Sequence, residues 1–300
     1  MYRFFRFLMV FKKYGVNLQS KYSQTMRLLL PLLLFTTYQV QSQVFMQSVD
    51  NTAALSLGGA VIAYPGIAVG LSNEGAVGLP GRFGVLTSSA LPFGIPGWQT
   101  AQFQGFIKAG QFNGFGIDLN HSGIETYNEQ QFRLLYGRKL SSKIFLGGGL
   151  SLLRVNAQEY GSLNNATFSI SILTNPLPNL WVGAKVHNPI QQKVADNLLP
   201  SVLRIGAAWK PTELFILLAE VEKDLERAYQ IKAGVEYKPV RLLTIRAGMR
   251  AGAVGRVAFG AGFALTKGLS IDMGSEWHPT LGFTPTAMLR WMGEWEKVNN

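Results

Sequence analysis

Ser201 to Leu269 reads SVLRIGAAWKPTELFILLAEVEKDLERAYQIKAGVEYKPVRLLTIRAGMRAGAVGRVAFGAGFALTKGL, five phrases of alternating polar and apolar residues separated by turns. In one phrase Leu243, Ile245, Ala247 and Met249 alternate with Thr244, Arg246, Gly248 and Arg250. In another, Tyr229, Ile231, Ala233, Val235 and Tyr237 oppose Gln230, Lys232, Gly234 and Glu236. A period of two marks strands with one apolar and one polar face. Every second gap is short and rich in turn residues: Lys210-Pro211-Thr212-Glu213, Lys238-Pro239-Val240-Arg241 and Thr266-Lys267-Gly268. Strands near ten residues, joined by short and longer connections in turn, are the pattern of a transmembrane β-barrel.

Extending the pattern outward gives fourteen expected strands, near 82–91, 98–109, 112–121, 127–138, 143–156, 165–174, 179–188, 201–209, 213–223, 228–237, 241–250, 255–265, 268–277 and 285–295. The expected fold is therefore all-β, a 14-stranded antiparallel transmembrane β-barrel over residues 82–300. An even count leaves both ends of the barrel on the periplasmic side, with the longer connections, such as Ala157–Asn164 and Pro189–Pro200, facing outward. Arg or Lys at mid-membrane on the lipid face costs roughly 2–4 kcal/mol, so the charged faces must point inward. Trp209, Tyr237, Trp277, Trp291 and Trp295 fall near strand ends on the apolar face, where interfacial aromatics belong.

Residues 43–81 differ in kind, being small, rich in Gly and Ala, and without regular alternation. They are read as an N-terminal plug or hatch folded back into the lumen, with a loose periplasmic lead-in as the alternative. Inward-facing glycines, among them Gly147, Gly183, Gly234, Gly248 and Gly260, would leave room for it. Ahead of them, residues 1–42 read as a leader. The run from Met26, MRLLLPLLLFTTYQVQSQ, has a positive start, a short apolar centre and a small residue at Ser42, the features of a signal peptide; Met26 is an alternative start. A spanning helix needs roughly 20 apolar residues, and no such run is present.

The formal net charge is +11, but Arg3, Arg6, Lys12, Lys13, Lys21 and Arg27 all precede residue 43 with no acid among them. From 43 onward 22 basic residues face 17 acidic ones, a net of +5. These are scattered through strands and turns rather than clustered, which argues against nucleic acid as a partner. Cysteine is absent, so disulfides, thiolate catalysis and Cys-ligated metals are excluded.

The segments Leu57-Gly58-Gly59-Ala60, Tyr136-Gly137-Arg138-Lys139-Leu140, Val186-His187-Asn188-Pro189, Ala219-Glu220-Val221-Glu222-Lys223-Asp224 and Ala233-Gly234-Val235-Glu236-Tyr237-Lys238-Pro239 resemble, in order and spacing, the Bacteroidetes outer-membrane proteins related to PorV and PorQ, within the wider FadL-like superfamily. Trp277-His278-Pro279 with Leu281-Gly282-Phe283-Thr284-Pro285 extends the resemblance over nearly the whole chain from 43 onward. It implies a plugged fourteen-stranded barrel in the outer membrane of a Gram-negative bacterium. It further implies transport of hydrophobic molecules, or alternatively a scaffold or substrate-docking role in type IX protein secretion. The expected partners are outer-membrane lipid and either a hydrophobic small molecule or secretion-system proteins.

Two candidate sites follow. Inward Arg204, Glu220, Glu222, Lys232, Glu236, Arg246 and Arg250, extended by Asp272, Glu276 and Arg290, are expected to form a lumen charge network. Adjacent strands lie about 5 Å apart, close enough for cross-strand pairs. Such a network can fill the lumen and set register, or line a polar pore. Leu91, Phe93, Ile95 and Trp98, beyond the first strand, are the candidate apolar ligand groove. Basic neighbours hold the carboxylates ionised, which disfavours acid–base catalysis. His121, His187 and His278 lie far apart in sequence and lack metal-ligand spacing. The expectation is a protein without enzymatic activity, cofactor or metal.

Overall fold

The computed structural model describes residues 50–66, 71–79, 83–194 and 197–293. The leader expected over 1–42, its alternative start at Met26, and Trp295 lie outside the described residues. Fourteen strands close into one antiparallel barrel: β1 (Phe83–Ala90), β2 (Gln99–Ala109), β3 (Asn113–Gly123), β4 (Tyr127–Lys139), β5 (Ile144–Ala157), β6 (Gly161–Leu177), β7 (Leu180–His187), β10 (Val202–Trp209), β11 (Phe215–Asp224), β12 (Gln230–Val240), β13 (Leu243–Ala251), β14 (Arg256–Ala264), β15 (Leu269–His278) and β16 (Gly282–Gly293). Between β7 and β10 a small two-stranded pair, β8 (Lys193–Val194) and β9 (Asn197–Leu198), sits in the connection. Each barrel strand pairs with the next barrel strand along the chain, β7 with β10 across the small pair, and β1 closes on β16 from Phe83↔Gly293 to Ala90↔Thr286. Closure leaves no free edge, a requirement where lipid cannot hydrogen-bond to backbone.

The wall sorts its residues by chemistry. Along β5, Leu150 and Leu152 are each 48% exposed, whereas Ser151 between them is 0% and Leu153 3%. The exposed set continues around the barrel through Ile117, Leu134, Leu203, Ile205, Phe259 and Leu289. A protein whose outward face is this apolar is solvated by hydrocarbon, and the barrel is one built for the outer membrane. Trp209, Trp277 and Trp291 are exposed near strand ends.

Connections at the end where β1 starts and β16 finishes span two to five residues. By the bacterial rule this end is periplasmic. At the opposite, outward end they run from three residues to the fourteen of 188–201. One expected long loop is shorter than the sequence reading: β5 runs to Ala157 and β6 begins at Gly161, leaving only 158–160 as the turn. Ser162, Asn164 and Asn165 pair with Asn156, Arg154 and Leu153. Polar residues there signal strand rising above the bilayer rather than the end of a strand. Among the described residues register shifts occur in two barrel pairings, between Thr174 and Leu177 and between Tyr237 and Val240. Each encloses a proline, Pro176 or Pro239, which cannot donate to the ladder.

Inside the ring, residues 50–66 and 71–79 meet the wall on all sides. Helix α1 (Thr52–Ser56) lies against β13, β14, β15, β16 and β1, and a 3-10 turn (Glu74–Gly78) lies against β2 to β6. Asn51 caps α1 by accepting from the Ala54 N–H at 3.0 Å. Gly58 and Gly59, at φ +63° and +73°, end the helix by returning their N–H groups to Leu55 and Ala54. Left-handed backbone at the end of a helix favours glycine. Asn73 does for the second turn what Asn51 does for the first, accepting from the Gly75 N–H at 2.9 Å.

Candidate functional site

The lumen is a polar wall closed around this inner segment. Its β10–β15 sector holds the charges expected from the alternation. The Arg204 Nε lies 2.6 Å from Glu220 Oε1 and 3.5 Å from Glu222 Oε2, along the Arg204↔Glu222 register of β10 and β11. Lys232 reaches Glu220 at 3.4 Å and also contacts Glu222. Arg246 donates to Glu236 at 2.7 Å and also pairs with Asp272. Arg250 approaches Glu276 at 4.0 Å, and Arg290 approaches Asp272 at 3.9 Å. All ten residues of the candidate network are thus brought into ion pairs. Glu220, Lys232, Glu236, Arg246 and Asp272 are fully buried.

Several of these charges also hold the inner segment. Glu220 accepts the Ile62 N–H at 2.9 Å, Arg204 donates to Gly59 O at 3.0 Å, and Arg250 pairs with Asp50 at 3.0 Å. Tyr64 donates its hydroxyl to Glu236 at 2.8 Å. Burial, then the Glu236 charge beside it, pushes the Tyr64 hydroxyl well above its ordinary pKa, so it remains a donor.

A second cluster, built around Glu74, sits in the β2–β7 sector. Glu74 is fully buried, with Lys185 at 2.5 Å, the Ser169 hydroxyl at 2.7 Å and Arg133 at 4.0 Å. Burial alone would raise its pKa; the Lys185 and Arg133 charges, with the hydrogen bonds, outweigh it and bring the carboxyl down to about 2. Arg133 also pairs with Asp118, which accepts from Gln104 at 3.0 Å, and Gln104 in turn accepts the Leu71 N–H at 3.0 Å. Glu74 is therefore the anionic foot of the inner segment in a cationic socket.

Leu91, Phe93, Ile95 and Trp98 all lie in the 91–98 connection at the outward end. Leu91 and Ile95 are exposed, the Phe93 ring sits edge-on to His278, and the Trp98 indole N–H faces Ser122 at 3.4 Å. A cavity of about 640 Å³ opens elsewhere, against β1 to β6, and none of these four residues lines it. Of the histidines, His278 uses Nδ1 to accept the Thr280 and Leu281 N–H groups of its turn.

Among solved structures the chain superposes on the CymD monoaromatic hydrocarbon channel with a TM-score of 0.63 at 10% identity, covering 82% of this chain and 98% of that one. For a Pseudomonas aeruginosa FadL homologue the TM-score is 0.62 at 11% identity, covering 83% and 98%. For the Pseudomonas putida toluene transporter TodX it is 0.61 at 12%, covering 84% and 98%. This chain shares the fold of these barrels. No family model and no curated protein matches the sequence.

Within this barrel, paired charges that the expected network lacked include Asp50, Glu74, Asp118, Arg133, Lys185 and Arg256. Asp118, Arg133 and Lys185 occupy inward positions in their strands, so the alternation that exposed Arg246 could have found them too. Glu74 had no such signal, because it lies in a segment without periodicity. Arg256 lies beside Glu276, at 3.0 Å, where β14 begins.

Proposed function

We propose that this barrel passes small hydrophobic molecules across the outer membrane, with residues 50–79 acting as a movable plug. The observation that carries the reading is the likeness over more than four fifths of the chain to barrels named as hydrocarbon channels and a toluene transporter. Two features of the lumen support a plug that moves. Much of its attachment is ion pairs and hydrogen bonds, which water can replace. The inner wall is smooth where the plug lies: a Cβ at Gly248, Gly234 or Gly183 would overlap the backbone of Leu57 or Ile62. Passage needs no chemistry from the wall, and the mutually paired carboxylates fit a non-enzymatic protein. A docking role in protein secretion draws on the sequence resemblance alone.

The test uses the natural absence of cysteine. Thr52 of the plug and Thr286 of the wall face each other with their hydroxyls 2.7 Å apart, so Thr52→Cys with Thr286→Cys tethers plug to wall when oxidised. Uptake of labelled toluene by cells carrying the pair should fall on oxidation and recover on reduction. Equal uptake in both states rules out plug movement as the route. No difference between cells with and without the protein, tested on toluene and on a long-chain fatty acid, rules out the transport reading itself.

A further inference from the structure

The cavity of about 640 Å³ is lined by runs of consecutive residues, 101–103, 119–121, 130–132 and 152–154, on neighbouring strands. In a strand the middle residue of three points opposite to its flanks. Gln102 and Asn120 are buried toward the lumen, while Phe103, Leu119 and Leu152 are exposed. The cavity is therefore a groove on the outer, lipid-facing side of the wall.

Register divides its lining into two rows. Phe103, Leu119, Phe132 and Leu152 are successive cross-strand partners and make an apolar floor. One step toward the outward end, His121, Gln130, Arg154 and Asn164 are likewise successive partners and make a polar rim. Outward positions along β5 show the same boundary: Leu146, Leu150 and Leu152 are apolar, then Arg154. Arg154 is exposed and has no acidic partner among the described residues. A lipid-facing arginine costs several kcal/mol at mid-membrane and almost nothing at the interface, so Arg154 marks the outer edge of the hydrocarbon. The anions at that depth are lipid phosphates, and guanidinium is the side chain best matched to them.

We propose that this groove holds a phosphate-bearing lipid of the outer leaflet, an acyl chain along the Phe103–Leu152 floor and a phosphate against Arg154. The apolar floor disfavours a free anion, and the polar rim disfavours a wholly apolar molecule. The volume falls within the roughly 300–1,000 Å³ of small-molecule sites. The site lies outside the lumen and does not depend on the transport reading.

The protein is purified in neutral detergent and mixed with diphosphorylated lipid A, its dephosphorylated counterpart, or inorganic phosphate, and retained ligand is read by native mass spectrometry. Wild type should retain the phosphorylated lipid over the dephosphorylated one. Arg154→Gln should lower retention about tenfold, the scale of one hydrogen-bonded charge. Arg154→Lys should lose less, and Arg241→Gln, in a periplasmic turn, should change nothing. Equal retention of both lipids, or unchanged retention in Arg154→Gln, overturns the proposal. So does inorganic phosphate that the lipid fails to displace. A heat-modifiable gel shift reports whether each variant folds; were Arg154→Gln not to fold, the two lipids on wild type still decide.

Discussion

At the residue scale, Glu74 shows how one side chain can anchor a segment. Its carboxyl, usually near 4.5, is held at about 2 in the folded protein. The folded state thus favours the ionised form, so the contribution is fully present above pH 4.5 and is lost as pH falls toward 2. A shift of this size corresponds to on the order of 3 kcal/mol. Glu74→Gln should therefore lower the melting temperature at pH 7, and its deficit relative to wild type should shrink between pH 4.5 and 2. A deficit that does not change across that window would show that Glu74 acts by shape alone. Gly248 gives a second residue-scale expectation. A side chain there meets Leu57 and Gly58 backbone, so Gly248→Val should loosen the plug while outward-facing Ala247→Val leaves it in place. Protease cleavage within residues 50–79 would distinguish the two. The glycines that make room were legible as inward positions in alternating strands. Glu74 was not, because its partner Lys185 lies 111 residues away and nothing in the sequence joins them.

Strands are the scale at which the sequence was most readable, because alternation is local and lipid enforces it. The ten-residue phrases from 201 to 269 became β10 to β14 with their expected faces, and the prolines marked both register shifts. What alternation could not supply was where a strand leaves the membrane, hence the late start read for β6. It also could not say whether inward charges face water or one another. Glu236 and Arg246 allow that question to be asked quantitatively. Removing one partner of a buried pair costs about 3–5 kcal/mol, whereas replacing both with apolar residues is often close to neutral. Glu236→Met and Arg246→Met should each destabilise the barrel strongly. The double variant should recover part of the loss, but not all of it, because Asp272 and the Tyr64 hydroxyl also depend on this pair. Denaturant unfolding in detergent would measure the cycle. On the opposite face, Leu150→Arg should cost about 2–4 kcal/mol, as lipid-facing arginine does at mid-membrane.

For the whole molecule, the two lumen clusters differ in how much they rely on the plug. Across β10–β16 the wall pairs with itself: Arg204 with Glu220, Arg246 with Glu236 and Asp272, and Arg250 with Glu276. These bonds survive if the plug departs. On the other side, Arg133 keeps Asp118, but Lys185 has Glu74 as its acidic partner and no other among the described residues. Deleting residues 50–79 should accordingly leave a closed barrel that still shows heat-modifiable migration, because the hydrogen-bonded ring β1 to β16 is complete without them. It should melt earlier than wild type and fill with water along the freed inner wall. In planar bilayers the deletion should conduct ions, and wild type should stay closed. The exposed lumen would hold Lys185 without a counter-ion and Glu220 without the Ile62 N–H. Lys185→Met in the deletion background should then change stability little, because water solvates the ammonium, whereas in the intact protein the same substitution leaves Glu74 with Arg133 as its remaining cation and destabilises. A loss confined to the intact protein would place the plug and the β2–β7 wall in one energetic unit, and an equal loss in both backgrounds would separate them.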